Sequence, residues 1–144
     1  MIIPVITLWQ PWASWIMAGW KTIETRTHNR FAYLEGKTIG IHAGLKWDEE
    51  AAHLASQYIS MEQVLATSDF ISIKGRLLGT AFVKQHRVLN KEDSKQALID
   101  CKETKRYGLI LEKLTLIAPI KISGKQGMWK YKLKNIDCKG ARYE

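Results

Sequence analysis

Apolar and β-branched residues fill positions 2–8, so the chain opens on a predicted strand. Pro11 follows and suits the first position of a helix, where a missing N–H costs nothing. Trp12, Trp15, Ile16 and Gly19 then recur at helical spacing, with Gly19 placed to end the helix in a left-handed conformation. Residues 21–27 alternate and are β-branched; as a strand they put Thr22, Glu24 and Arg26 on one side. Residues 37–43 form another strand, with Ile39, Ile41 and Ala43 on one face and His42 on the other. Trp47, Ala51, Leu54, Ala55 and Tyr58 make an apolar helical stripe, which predicts a helix over 47–58 with Asp48 as its cap. Ser60 and Gln63 have capping-box spacing for a short helix over 61–66.

Residues 75–89 carry the longest β signal. Asn90 and Asp93 open a helix bearing Ala97, Leu98 and Cys101, and residues 107–116 form a strand that Pro119 breaks or confines to an edge. Residues 123–129 read as a two-glycine loop leading into a turn of helix. Five or six short strands with interspersed helices, in no regular βαβ order, predict an α+β fold built on a small mixed barrel. There is no linker, repeat or low-complexity tract, so residues 1–144 read as one domain with a basic, loose tail over about 133–144.

Composition narrows the class. The chain has 144 residues, 46% hydrophobic and 25% charged, which suits a globular domain that needs no disulfide or metal staple. No apolar run approaches the ~20 residues of a spanning helix, and positions 1–4 lack the basic opening of a signal peptide. A cytoplasmic location with no membrane partner is the expectation. Cys101 and Cys138 stand far apart without a CxxC, so reduced thiols, no metal site and no cofactor are expected.

Two features are unusual. There are 22 Lys+Arg against 14 Asp+Glu, a formal charge of +8, and four of the six tryptophans lie in the first 20 residues. The positive excess sits in two stretches, over 70–91 (Lys74, Arg76, Lys84, Arg87, Lys91) and over 121–144. Such a field attracts polyanions without choosing among sequences, although a solvated lysine-rich surface has the same composition.

Candidate chemistry is confined to a few places. P-loop, GxGxxG, GxSxG and HExxH motifs are missing, and His28, His42, His53 and His86 are scattered. His42 is the best histidine candidate, because it lies opposite an apolar strand face. Trp9, Gln10 and Trp12 meet at a strand-to-helix junction: an indole face stacks a base and a glutamine amide pairs with a base edge. Trp15 reads as core, whereas Trp9 and Trp12 fit either core or site. Lys21, Glu24, Thr25 and Arg26 form a second cluster. Its spacing fits an exposed ion pair, or a cleft in which a lysine of lowered pKa acts as base.

At these residues the chain resembles a known family. Leu8-Trp9-Gln10-Pro11-Trp12-Ala13-Ser14 followed by Gly19-Trp20-Lys21-Thr22-Ile23-Glu24-Thr25-Arg26 resembles the opening of the ASCH domain family, named from activating signal cointegrator homology. Gly40-Ile41-His42-Ala43, Gly79-Thr80-Ala81 and Gly124-Lys125-Gln126-Gly127-Met128-Trp129 resemble its later strands and the closing signature of bacterial and phage members, in family order. The resemblance implies a PUA-like fold with a cleft beside the first helix, and binding of RNA, another nucleic acid or a nucleoside. Trp9, Gln10, Trp12, Lys21, Glu24, Arg26, His42, Lys125, Gln126 and Trp129 would form the site, in a chain expected to be monomeric. One branch of the family is an amidohydrolase that deacetylates acetylcytidine with a lysine, a threonine three residues later and a distant glutamate. Lys21 matches that lysine, Glu24 stands where the threonine would, and Glu92, Glu103 and Glu112 are all open for the glutamate. The alternative reading is therefore a hydrolase on a modified nucleoside, or a ribonuclease, with Lys21 and Glu24 catalytic.

Overall fold

The computed structural model describes residues 1–66 and 73–134. Its strands are β1 (Ile2–Gln10), β2 (Ile23–Arg26), β3 (Thr38–Trp47), β4 (Arg76–Val88), β5 (Tyr107–Lys121) and β6 (Met128–Lys132). The helices are short: α1 (Trp12–Met17), α2 (Ala51–Ala55), α3 (Met61–Ala66) and α4 (Ser94–Ala97), with 3-10 turns at Ala32–Leu34 and Lys91–Asp93. The strands make one mixed sheet in the order β2-β5-β4-β3-β1-β6. β1 and β3 run parallel, and the other pairings are antiparallel. This is the α+β, six-stranded architecture expected, except that β2 and β6 remain edges and the sheet does not close through hydrogen bonds among the described residues. No helix among them is long and apolar enough to cross a membrane.

Alternation along β1 and β3 divides the interior. Ile6, Leu8, Ile39, Ile41 and Ala43 join Ile16 and Met17 of α1 in the main core. Ile3 and Val5 face a second cluster with Leu77, Ile117, Trp129 and Leu133. Thr7 and His42 are paired across the parallel register. Gly79 of β4 packs tightly under α1 and β5: an added Cβ would lie 2.3 Å from the Thr115 carbonyl oxygen and 2.5 Å from Met17 Cε.

The caps fall where the side chains ask for them. Gly19 has φ +85 just past α1. Ser60 and Gln63 exchange reciprocal bonds before α3, and Asn90 with Asp93 forms a complete capping box.

Three expected elements change. Trp47 ends β3, paired with Gln10, rather than opening a helix; the Asp48 N–H donates to the Gln10 carbonyl, and of the expected helix only Ala51–Ala55 becomes α2. β5 runs past the expected end at 116 to Lys121, with Pro119 on an edge, the second of the two expected outcomes: its pairing with β4 slips between Leu77 and Gly79, and β2 covers only Tyr107 to Ile110 on its other side. The turn of helix expected near 129 is instead strand β6, in which Trp129 points inward, and Leu133 just beyond it is buried in the same cluster. Leu133 is held by mutual backbone bonds with Met1, so the start of the expected loose tail is anchored; residues 135–144, with Cys138, lie outside the described residues.

Replacing Gly79 by Ala is expected to lower stability by about 2–3 kcal/mol, because Met17 can swing aside but the Thr115 carbonyl oxygen, the nearest atom, is backbone and cannot. A denaturation midpoint within error of the parent would show that β4 can shift to make room.

Candidate functional site

The strand-to-helix junction brings Trp9 and Trp12 to one wall of a cleft of about 1010 Å³, and Lys21, just before β2, lies along another with Glu24, Thr25 and Arg26 of β2. His42 and the loop over residues 122–127 supply a third side. Lys46, Lys74, Arg76, Lys121 and Lys125 stand around the opening.

Lys21 is the deepest charged group. It is 2% exposed, donates to the Ala97 carbonyl, lies 3.9 Å from Glu24 Oε1 and sits 4.9 Å over the Trp12 ring. Burial pulls its pKa from the ordinary 10.5 to about 8, against an upward pull from Glu24. Glu24 is also buried, and its second oxygen lies 3.3 Å from Arg26 Nη2. Arg26 in turn rests 5.2 Å over the Phe31 ring. The cluster that spacing alone left open as an exposed ion pair is thus a chain of charges leading from the interior to the cleft mouth.

Trp12 is fixed from two sides. Its indole N–H donates to Asp48 Oδ2 at 2.7 Å, and its ring meets Trp15 edge-to-face at 5.3 Å. Trp9 projects from the outer lip with Lys46 5.2 Å over its ring. Gln10 does not face the cleft. It is fully buried, its amide nitrogen donating to Ser14 Oγ and the Ile73 carbonyl while its oxygen accepts from the Ser14 N–H, so it locks β1 to α1.

His42 has both ring nitrogens engaged. Nε2 donates to the Ile122 carbonyl at 2.7 Å, which leaves Nδ1 to accept from the Thr7 hydroxyl at 3.2 Å. The Thr7 oxygen accepts the Trp129 indole N–H at 2.9 Å, and the Trp129 ring stands edge-to-face with His42 at 5.4 Å. Burial lowers the His42 pKa, partly opposed by the bond to Ile122. Gly124 lies so close that an added Cβ would sit 2.4 Å from His42 Cε1. His42, Thr7 and Trp129 therefore seat the loop, whose Lys125 and Gln126 border the cleft; Trp129 itself does not line it.

The structure adds Asp48, which spacing assigned to a helix cap. Its Oδ1 accepts the Glu50 N–H while its Oδ2 holds Trp12, and with Glu24 it supplies the carboxylates on the cleft wall among the described residues. Glu92, Glu103 and Glu112 lie elsewhere. No three His, Cys, Asp or Glu side chains among the described residues converge as metal ligands would.

Solved structures share this arrangement of strands. The ASCH protein of Zymomonas mobilis superposes with a TM-score of 0.54 at 17% identity, covering 93% of this chain and 89% of the other. A serine-to-alanine variant of it gives 0.54 at 15% identity over the same shares. A tyrosine-to-phenylalanine variant gives 0.51 at 17% identity, covering 82% and 74%. The fold is ASCH-like. No protein-family model and no curated protein matches the chain. At such identities the likeness concerns the ASCH-like fold, and function has to be argued from the site.

Lys21 makes a pH prediction. In the unfolded chain it keeps its proton to about pH 10.5, and in the folded chain it releases it near 8. Between these values the unfolded state binds more protons, so stability rises with pH, by on the order of 3 kcal/mol from this group. Urea denaturation from pH 7 to 10.5 is expected to show that rise in the parent and a flatter profile in Lys21→Met. Identical profiles would show that Lys21 does not titrate in that window. His42 acts at the other end: its lowered pKa means that stability falls as pH drops below about 6.5, where the unfolded imidazole gains a proton that the folded one resists. Replacing His42 by Gln is expected to remove that acid-side fall, read by the same denaturation method between pH 7 and 5.

Proposed function

We propose that this protein is a nucleic-acid-binding module, with RNA the first polymer to test, and that it lodges a single nucleotide in the cleft. The observation that carries this reading is the pairing of a hydrogen-bonding, aromatic floor with a cationic mouth. Trp12 offers an indole face held in place by Asp48, and Glu24 offers carboxylate oxygens to the amino or ring N–H groups of a base. Lys46, Lys74, Arg76, Lys121 and Lys125 surround them where phosphates would lie. A volume of about 1010 Å³ is ample for one nucleotide.

A second reading has its own support. Lys21, with a pKa near 8, has an appreciable neutral fraction at neutral to mildly alkaline pH, as a general base requires. That favours a hydrolase acting on a modified nucleoside. It ranks second because Lys21 donates to the Ala97 carbonyl and stands beyond hydrogen-bond distance from Glu24, in a cleft that is open to solvent at its mouth.

A salt-resolved titration with single-stranded RNA, duplex DNA and free modified nucleosides, with product analysis of every mixture, separates the readings. The binding module is expected to hold a polymer with affinity that falls steeply with salt and with no turnover. Lys74→Ala and Arg76→Ala are each expected to reduce the magnitude of the log–log salt slope by about 0.7. Unchanged slopes in both variants would remove phosphates from this rim. Release of a small product, abolished by Lys21→Ala, would establish the hydrolase.

A further inference from the structure

The lip of the cleft carries apolar surface that the lodged nucleotide does not need. Trp9 is 50% exposed, Leu45 76% and Trp47 39%. All three lie where β1 and β3 project beyond the rest of the sheet: β4 begins at Arg76, opposite Ala43, so residues 45–47 have no β4 partner. Strand alternation would bury every second side chain, yet Leu45, Lys46 and Trp47 are all outside the core. The aromatic surface is not isolated from charge. Lys46 sits over one face of Trp9, and Lys74 and Arg76 line the same cleft.

We infer that this lip is a second subsite, in which Trp9 stacks the nucleotide adjacent to the one in the cleft, so that the ligand is a single strand and not a mononucleotide or a duplex. The inference rests on the binding reading above and specifies its ligand. Base faces are available for stacking only where the strand is unpaired, since a duplex presents base edges in its grooves and phosphates outside. An exposed indole backed by an ammonium, beside a cationic rim, matches an unpaired strand in both of its components: the base meets the ring, and the phosphate between the two nucleotides meets Lys46 and its neighbours. Leu45, which also lines the cleft, adds exposed apolar surface to it. Trp9 is suited to this role because Lys46 covers one of its faces and half of the residue remains in solvent.

The test compares the affinity of a mixed-sequence hexaribonucleotide with that of its constituent 5′-monophosphates. A hexadeoxynucleotide and the duplex form serve as further arms. The parent is expected to bind the hexamer more tightly than any monophosphate and more tightly than the duplex. Trp9→Ala is expected to lower the hexamer-to-monophosphate ratio by between about 5- and 100-fold, and Trp9→Phe to restore most of it. Trp12→Ala is expected to weaken both ligands and leave the ratio near the parent's. If Trp9→Ala does not fold, Leu45→Asp, at a side chain mostly in solvent, must lower the same ratio. A ratio unchanged by these lip variants, or a duplex held as tightly as the single strand, overturns the second subsite while leaving the cleft as a binding site. A parent that binds none of these ligands overturns the binding reading and the lip with it.

Discussion

An ammonium removed from water has to be compensated where it lies, and Lys21 imposes that condition on everything around it. Its proton-bearing nitrogen meets a backbone carbonyl from α4, a carboxylate from β2 and the face of an indole from α1. Each of these partners then has to be held. Glu24 is held by Arg26, Arg26 lies across Phe31, and Trp12 is tied to Asp48 at the end of β3. The cleft walls are therefore consequences of one buried charge, carried outward through contacts that join elements distant in sequence. The cluster lies at one edge of the six-stranded sheet, where β2 pairs with β5 alone and the chain leading into it bonds to Gln96 and Ala97.

The opposite side of the cleft is organised by neutral hydrogen bonds. Thr7 accepts from Trp129 and donates to His42, and His42 donates to Ile122. Three strands and a loop are joined through one hydroxyl and one imidazole. The two halves of the site thus differ in kind. One is built on a buried charge whose proton is released near 8, and the other is a neutral, satisfied network in which His42 resists protonation on the acid side.

Much of this architecture was legible in the sequence because it rests on local rules. Apolar and β-branched content marked β1 and β4, alternation marked β2 and β3, and the Ser60–Gln63 and Asn90–Asp93 spacings marked two helix starts. The charge pattern marked Lys74, Arg76, Lys121 and Lys125, which the structure gathers around one opening. What was not legible depends on contacts between distant segments. The stripe from Trp47 to Tyr58 has good helical spacing, but Trp47 gains a parallel partner in Gln10, and a pairing of that range leaves no local signal. Trp129-Lys130-Tyr131-Lys132-Leu133 does alternate, and that signal was obscured by the two glycines before it. Gln10 was singled out by residue type and Trp129 through the resemblance; in the structure neither lines the cleft, Gln10 being bonded to Ser14 and Ile73 and Trp129 to Thr7. Asp48 went the other way, from helix cap to the group that orients Trp12.

The close seating of Gly124 on the His42 ring separates two properties that loops usually combine. Position 124 accepts no side chain without displacing the imidazole, and Ile122 is fixed by its carbonyl, so the path of the loop is constant. Lys125 and Gln126, the next residues along, are exposed and border the cleft. Substitutions there can alter what the cleft reads without altering where it is read from. Divergence of ligand choice within this fold therefore has an inexpensive route: a rigid mount with exchangeable side chains directly beyond it.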